Sequence, residues 1–226
     1  MNQEIMINVQ VHFRLLLGFL FFLPYVKTIG QENASHTQEI ISFWTDRFDG
    51  FYRDEGFPLI SADSIYLSYF EPNSEYKVEA EVEILFAEQP FQMPTYAGTT
   101  SEYVRYGIAR FQIGDGPIQA LTLYRSTRLF RDSVYKNHLF VPFLDLTNGD
   151  FTYDGGRYLD LSTQDIDAQG KMMIDFNKAY NPLCAYSGGY RCPIPPLENH
   201  LSIPIMAGEC RYTGPLKERP EPTENR

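Results

Sequence analysis

Histidine is scarce in this 226-residue chain, at 4 copies, and tryptophan occurs once. His12 and His36 precede the body of the chain, so only His138 and His200 remain for a Ser-His-Asp or Cys-His mechanism, which is thus poorly supported. No G-x-S-x-G nucleophile elbow, H-E-x-x-H helix or phosphate-cradling Gly-rich loop occurs. A D-x-D-x-D-G calcium loop is missing as well. Cations are few: 19 Lys and Arg against 29 Asp and Glu give a formal net charge of -10 at pH 7. That balance disfavours nucleic acid and anionic lipid surfaces, whose binding depends on clustered Lys and Arg.

Long apolar runs are missing too, with one exception. Leu15 to Leu23 is broken only by Gly18, follows Arg14 and ends at Pro24. It falls short of the roughly 20 apolar residues that cross a bilayer comfortably and has the layout of a secretory h-region, with Thr28-Ile29-Gly30 offering cleavage before Gln31. Residues 1–30 are therefore expected to be a signal peptide, and the protein to be exported, periplasmic or extracellular, with no stable membrane span after cleavage. An uncleaved signal anchor is the competing reading. With no Cys near the cleavage region, lipid attachment there is excluded. Removing this segment, which holds Arg14, Lys27 and Glu4, makes the net charge one unit more negative.

Aromatics, by contrast, are abundant, with 16 Tyr and 17 Phe. They favour sheets with wide, flat packing surfaces. Residues 31–36 read as a linker. A helix follows, with Ser35 and Gln38 as a capping box and Ile40, Ile41, Trp44, Phe48 and Phe51 at spacings of three and four. Trp44 is read as a core aromatic, and Glu39, Asp46, Arg47 and Arg53 fall mostly off the stripe. From Val78 to Ile84, apolar residues alternate with Lys77, Glu79, Glu81 and Glu83, the pattern of a half-buried strand with one wet acidic face. Tyr103 to Ile113 and Ile118 to Arg125 read as a hairpin through Gly114-Asp115-Gly116. Leu139 to Leu146 is a further strand, expected to pair with Phe151 to Tyr153 through Asn148-Gly149. Met172 to Phe176 and Leu201 to Met206 are additional strand candidates, and residues 161–170 form a polar connection. Residues 213–226, rich in Pro, Glu and Lys, have too few apolar residues to stabilise an ordered segment and read as a disordered tail.

One β-rich domain over residues 37–212 is long enough to bury a core without disulfide staples. The expected class is mainly β: an antiparallel β-sandwich or partly closed barrel with one N-terminal helix.

The densest chemistry lies after Gly155. Arg157, Tyr158, Asp160, Asp175, Asn181, Glu198 and Glu209 are the ligand-binding candidates. Asp160, Asp175, Glu198 and Glu209 could supply an acid and a base if two of them met in a desolvated cleft. They could equally form ion pairs and turn caps. The planar fork of Arg157 suits a carboxylate or phosphate ligand but ties loops together equally well. Tyr180 and Tyr186 could stack on a flat ligand or cover the core's edge. Cys184 and Cys192 bracket Ser187-Gly188-Gly189 and are most economically read, in an exported protein, as a disulfide. Metal ligation with His200 matches no usual zinc spacing. Cys210 is the odd thiol, with its pairing open. No metal or cofactor is indicated.

With these residues in view, the chain resembles the domain of unknown function 1684 family, an uncharacterised bacterial and archaeal family. The resemblance rests on Gly156-Arg157-Tyr158-Leu159-Asp160, the run from Asp175 to Pro182, Cys184-Ala185-Tyr186, Cys192-Pro193, Pro195-Pro196 and Glu198-Asn199. It extends from the helix with Trp44, through Phe57-Pro58-Leu59 and Phe143-Leu144-Asp145-Leu146-Thr147, to Ala207-Gly208-Glu209. The family pattern often has Arg where this chain has His200, and a basic residue where Cys210 stands. The resemblance implies where a site lies and names no reaction. The expected function is an exported envelope domain that binds a small polar, carbohydrate-like ligand, with no nucleic-acid partner. A carboxylate-dependent hydrolase and a purely structural envelope protein are the alternatives.

Overall fold

The computed structural model describes residues 33–50 and 57–218; the expected signal peptide at residues 1–30 and the last eight residues of the expected tail lie outside the described residues. Residues 33–50 are helical (α1). Seven strands follow: β1 (Lys77–Ile84), β2 (Phe91–Pro94), β3 (Thr100–Phe111), β4 (Gln119–Ser126), β5 (His138–Phe143), β6 (Arg157–Ser162) and β7 (Lys171–Asp175). They form one antiparallel sheet in the order β6-β5-β4-β3-β1-β7, with β2 also beside β3. The sheet curls into a half-barrel, the partly closed form of the two expected architectures.

The long strand β3 organises this sheet. Its second half pairs with β1 and its first half with β2, so β1 and β2 act as one interrupted neighbour. Between Arg105 and Gly107 a bulge shifts its register against β4. Side chains alternate between faces with a period of two, and an extra residue inverts that parity. Tyr103 and Arg105 therefore share a face with Tyr124 and Ser126, whereas Ala109 and Phe111 share the opposite face with Leu121. The main core occupies that second face. Val78, Ala80, Phe111, Leu121, Leu123, Leu139, Val141, Leu159 and Ile174 pack there with Leu201, Ile205 and Ala207 from the last ordered segment.

Two expected strands are absent. Phe151 to Tyr153 does not form a ladder with the preceding strand, because Asn148-Gly149 closes a tight loop on Thr147, whose carbonyl takes the amides of Phe151 and Thr152 at 3.0 and 3.1 Å. Leu201 to Met206 is irregular. It meets the chain beyond β5 only through the Leu201 amide on the Leu144 carbonyl at 2.8 Å and the Leu146 amide on the Ile203 carbonyl at 3.3 Å, and side chains take over at Ile205, whose amide donates to Asp145 Oδ1 at 3.1 Å and whose carbonyl accepts from Arg157 Nη2 at 2.8 Å. Strand β2, conversely, has no expected counterpart. Its four residues, ending in Pro94, are too few to show a period.

At the ends of the domain, order extends further than composition suggests. Helix α1 already includes residue 33, so Ser35 is not its cap. His36, inside the expected linker, is buried with Nε2 2.8 Å from Asp175 Oδ2. Ile40 and Trp44 face inward as expected, while Ile41 is half exposed. Within the expected tail, residues 213–218 are placed: the Lys217 amide donates to the Tyr186 carbonyl, and its ammonium pairs with Asp63 at 2.6 Å. Among the described residues, no helix is long and apolar enough to cross a membrane.

Candidate functional site

The alternation along β6 divides the densest motif in two. Tyr158 lies opposite Pro142, Asp160 opposite Phe140 and Ser162 opposite His138, all on the face shared with Tyr124 and Tyr103. Arg157 and Leu159 point to the main core instead. On the first face, a cleft of about 480 Å³ opens between strands β3 to β6 and the segments around residues 180–183 and 190–193. Its wall is aromatic: Tyr103 stacks on Phe140 at 5.5 Å between centroids, Tyr158 meets Phe140 edge-on at 4.8 Å, and Tyr180 meets Tyr158 edge-on at 5.9 Å.

Asp160 is the carboxylate of this cleft. Its Oδ1 lies 2.8 Å from His138 Nε2, and its Oδ2 accepts the Tyr180 hydroxyl at 2.8 Å. Burial pushes its carboxyl up, but the hydrogen bond and charge of His138, the Tyr180 hydroxyl and the Arg47 charge outweigh that and hold it below the ordinary carboxylate range. The side chain remains 42% exposed, so a ligand can reach the carboxylate. With Nε2 turned to Asp160, His138 Nδ1 is left buried and without a hydrogen-bond partner. Arg47, on α1 three residues after Trp44, lays its guanidinium 3.6 Å from the centroid of the Tyr180 ring. Burial raises the Tyr180 hydroxyl well above its ordinary range and pushes Tyr103 up to about 12, so both are neutral donors at pH 7. Tyr158 donates its hydroxyl to the Pro193 carbonyl, tying the β6 wall to the opposite rim.

Of the seven candidates, Tyr158, Asp160 and Asn181 line the cleft. Asn181 is buried; its amide nitrogen donates to the Cys210 carbonyl at 2.8 Å, while its Oδ1 has no hydrogen-bond partner.

The remaining four lie elsewhere. Arg157 is fully buried; its Nη2 donates to Asp145 Oδ2 at 2.8 Å, and its Nη1 donates to the Ala207 carbonyl. It anchors the irregular last segment to the core and meets no ligand space. Asp175 holds His36 through one oxygen and the backbone and side-chain amides of Asn177 through the other. With the Trp44 indole donating to the Asn177 carbonyl at 3.1 Å, this pair docks α1. Glu209 is 2% exposed and accepts from the Asn181 amide at 2.8 Å and from the Tyr186 hydroxyl; burial raises its carboxyl despite these bonds. Glu198 accepts from the Tyr124 hydroxyl at 2.9 Å and from Arg105 at 3.1 Å and is not part of the cleft wall. Nor does Tyr186 stack on a ligand space. It is buried between Phe57 and Tyr212.

Several motif residues thus have structural explanations. Gly156 (φ +87°) lies where a Cβ would come within 2.6 Å of the Phe143 carbonyl, and Gly208 (φ +81°) where one would meet the Ala179 carbonyl at 2.5 Å. The Asn199 side chain works as a surrogate strand segment. It accepts the Thr122 amide at 2.7 Å and donates to the carbonyls of Thr122 and Pro142 at 3.0 and 2.8 Å. It thereby fills the gap between β4 and β5, whose ladder holds a single Tyr124–Phe140 pair.

Sequence reasoning missed His138, Tyr103, Phe140 and Arg47 as cleft residues and Asp145 as the Arg157 partner. A signal for two of them existed: His138 and Phe140 alternate along β5, and that parity marks the face away from Leu139 and Val141. Cys184 and Cys192 form a disulfide that closes the loop carrying Tyr190 and Arg191 into the cleft wall, and Cys210 is a free thiol. Among the described residues, no group of three or more His, Cys, Asp or Glu is gathered to hold a metal ion.

Comparison with known proteins places this arrangement. A solved NMR structure of an uncharacterised protein from Haloarcula marismortui is similar, at 31% identity and a TM-score of 0.55, over 76% of this chain and 96% of that one. A search of curated proteins returns no match. Residues 65–210, which contain every strand and the whole β-sheet wall of the cleft, match the model of a family described as "Protein of unknown function (DUF1684)". The chain belongs to that family.

Proposed function

We propose that this protein binds a small polar ligand with flat faces and hydroxyl-rich edges, carbohydrate-like in that sense, in the cleft around Asp160. The observation that carries this reading is the half-exposed Asp160 carboxylate, held by His138 and Tyr180 inside a wall formed by Tyr103, Phe140, Tyr158 and Tyr180. Aromatic faces favour the apolar face of a ring, and a fixed carboxylate accepts from hydroxyls at its edge. Small-molecule sites commonly combine such a concave aromatic lining with a few fixed polar groups. Export to an envelope or extracellular location belongs to the same reading; the signal-like Arg14 to Gly30 segment and the Cys184–Cys192 bridge, which suits an oxidising compartment, support it.

A thermal-stability screen against monosaccharides, oligosaccharides, peptidoglycan fragments and amino acids tests it. A ligand present at 100 times its Kd raises stability by about 2.7 kcal/mol. The expected result is a shift with a sugar-like compound that disappears in Asp160→Ala and Tyr103→Ala. No shift with any compound, or an equal shift in both variants, overturns it. Two-carboxylate hydrolysis is less well supported, because among Asp160, Asp175, Glu198 and Glu209 only Asp160 lines the cleft.

A further inference from the structure

The chain has a strongly acidic balance, yet Arg125, Arg128, Arg131 and Lys136 fall within twelve residues of one another, with Asp132 the only acid between them. Many cations elsewhere are paired: Lys77, Arg105, Arg110, Lys171 and Lys178 each lie within 4.0 Å of a carboxylate. Among the described residues, Arg125, Arg131 and Lys136 are in no such pair. All three line one open pocket of about 390 Å³ beyond the end of β4.

The pocket is built rather than incidental. The Arg125 guanidinium is gripped between the rings of Tyr106 and Phe130, 4.6 Å from each centroid, which fixes its plane. Its Nε is buried with no hydrogen-bond partner. Asp132, the one acid in the lining, is turned to its own loop, where Oδ1 accepts the Val134 amide at 2.9 Å. Asn137 spends its Oδ1 on the Thr163 hydroxyl at 3.3 Å, which leaves its amide nitrogen as a donor, and Ser133 adds a hydroxyl. Two guanidinia and an ammonium make a dense set of cationic donors, the chemistry that recognises a tetrahedral oxyanion.

We propose that Arg125, Arg131 and Lys136 form a binding site for a phosphate- or sulfate-type group carried by a small soluble molecule. The site is separate from the Asp160 cleft and does not depend on it. By strand alternation Arg125 points to the face of β4 opposite to Tyr124 and Ser126, and the loop after β4 sends Leu129 and Tyr135 to the cleft but Phe130, Arg131 and Lys136 to this pocket.

Amide-resolved NMR titration of the intact exported chain with inorganic phosphate, against sodium chloride at matched ionic strength, tests the proposal. The expected result is a saturable shift of the amides from Arg131 to Asn137 with phosphate and none with chloride. The Arg131→Ala/Lys136→Ala double variant should weaken binding by about tenfold or more, since charge-assisted bonds are the strong ones. Both side chains are exposed and unpaired, so that variant should keep the wild-type melting temperature in phosphate-free buffer. No saturable shift, equal shifts with chloride, or undiminished binding in the double variant overturns the proposal. Sedimentation with phosphatidylglycerol vesicles separates the sources: vesicle binding without a saturable phosphate shift would assign the patch to a membrane surface and also overturn it.

Discussion

Arg157 and Asp145 form an ion pair in the core of the half-barrel, with Nη2 to Oδ2 at 2.8 Å and both side chains completely shielded from solvent. Asp145 has little charge left to offer elsewhere: its Oδ1 accepts the amides of Thr147 at 2.8 Å and Ile205 at 3.1 Å. Burial lowers the Arg157 pKa from its ordinary value, and the facing Asp145 opposes that shift. The pair is therefore a structural pin between β6 and the segment from residue 201 to 209.

Removing one member should be costly. Arg157→Met strands the Asp145 charge and is expected to destabilise the fold by about 3 to 5 kcal/mol. Arg157→Lys should not rescue it, because a single ammonium cannot reach Asp145 and the carbonyls of Ile205 and Ala207 in the planar pattern of a guanidinium. Urea denaturation of both variants measures this, and wild-type stability in Arg157→Lys would show the fork to be unnecessary.

Glu209 provides a contrast between charge and shape. Its raised pKa means that the folded state favours the protonated carboxyl, so its contribution is fully present below the unfolded pKa and is lost as pH rises through the folded one. Glu209→Gln, which keeps an acceptor for the Asn181 amide, should stay within about 1 kcal/mol of wild type near neutral pH and lose less stability on the alkaline side. Glu209→Ala leaves that amide and the Tyr186 hydroxyl unpaired in the interior and should cost about 2 to 4 kcal/mol. Thermal melts across pH compare them.

Asp160 should behave in the opposite sense. Its folded pKa is depressed, so the stability it contributes is present above the unfolded value of about 4 and is lost as pH falls through the folded one. Acid titration of stability should therefore be shallower below about pH 4 in Asp160→Asn than in wild type. Identical acid limbs would remove the depressed Asp160 as a contributor.

The Cys184–Cys192 bridge spans the cleft wall rather than the core. Its reduction should lower stability by about 2 to 3 kcal/mol, as a short closed loop gives. Amide NMR should show the largest changes around Tyr190 and Arg191 and little change along β1 and β7. A thiol count on the denatured, unreduced protein should return one sulfhydryl, that of Cys210.

The half-barrel was legible because its strands announce themselves locally. Val78 to Ile84 alternates cleanly, and Gly114-Asp115-Gly116 turns β3 into β4 as expected. What misled was apolar content without a ladder. Leu201, Ile205 and Ala207 are core residues, but the backbone of Ile205 and Ala207 is bonded by the side chains of Asp145 and Arg157, and Leu201 has only its amide on the Leu144 carbonyl, not a strand ladder. The seven site candidates divided for a related reason. Arg157, Tyr158 and Asp160 are adjacent in sequence, and adjacency hides the strand pleat that sends the first to the core and the other two to the cleft.

From sequence alone came the sheet-dominated class, the N-terminal helix, the half-buried β1 and the pairing of two thiols across a short loop, because propensity, period and chain proximity act over a few residues. Tertiary structure alone decided which polar residues meet: Asp160 with His138 and Tyr180, Asp175 with His36, Glu209 with Asn181, and three cations around one pocket. Those partners lie up to 139 positions apart, and whether a carboxylate becomes a buried cap or a reachable acceptor depends on the bulge, the curl of the sheet and the face on which each strand presents it.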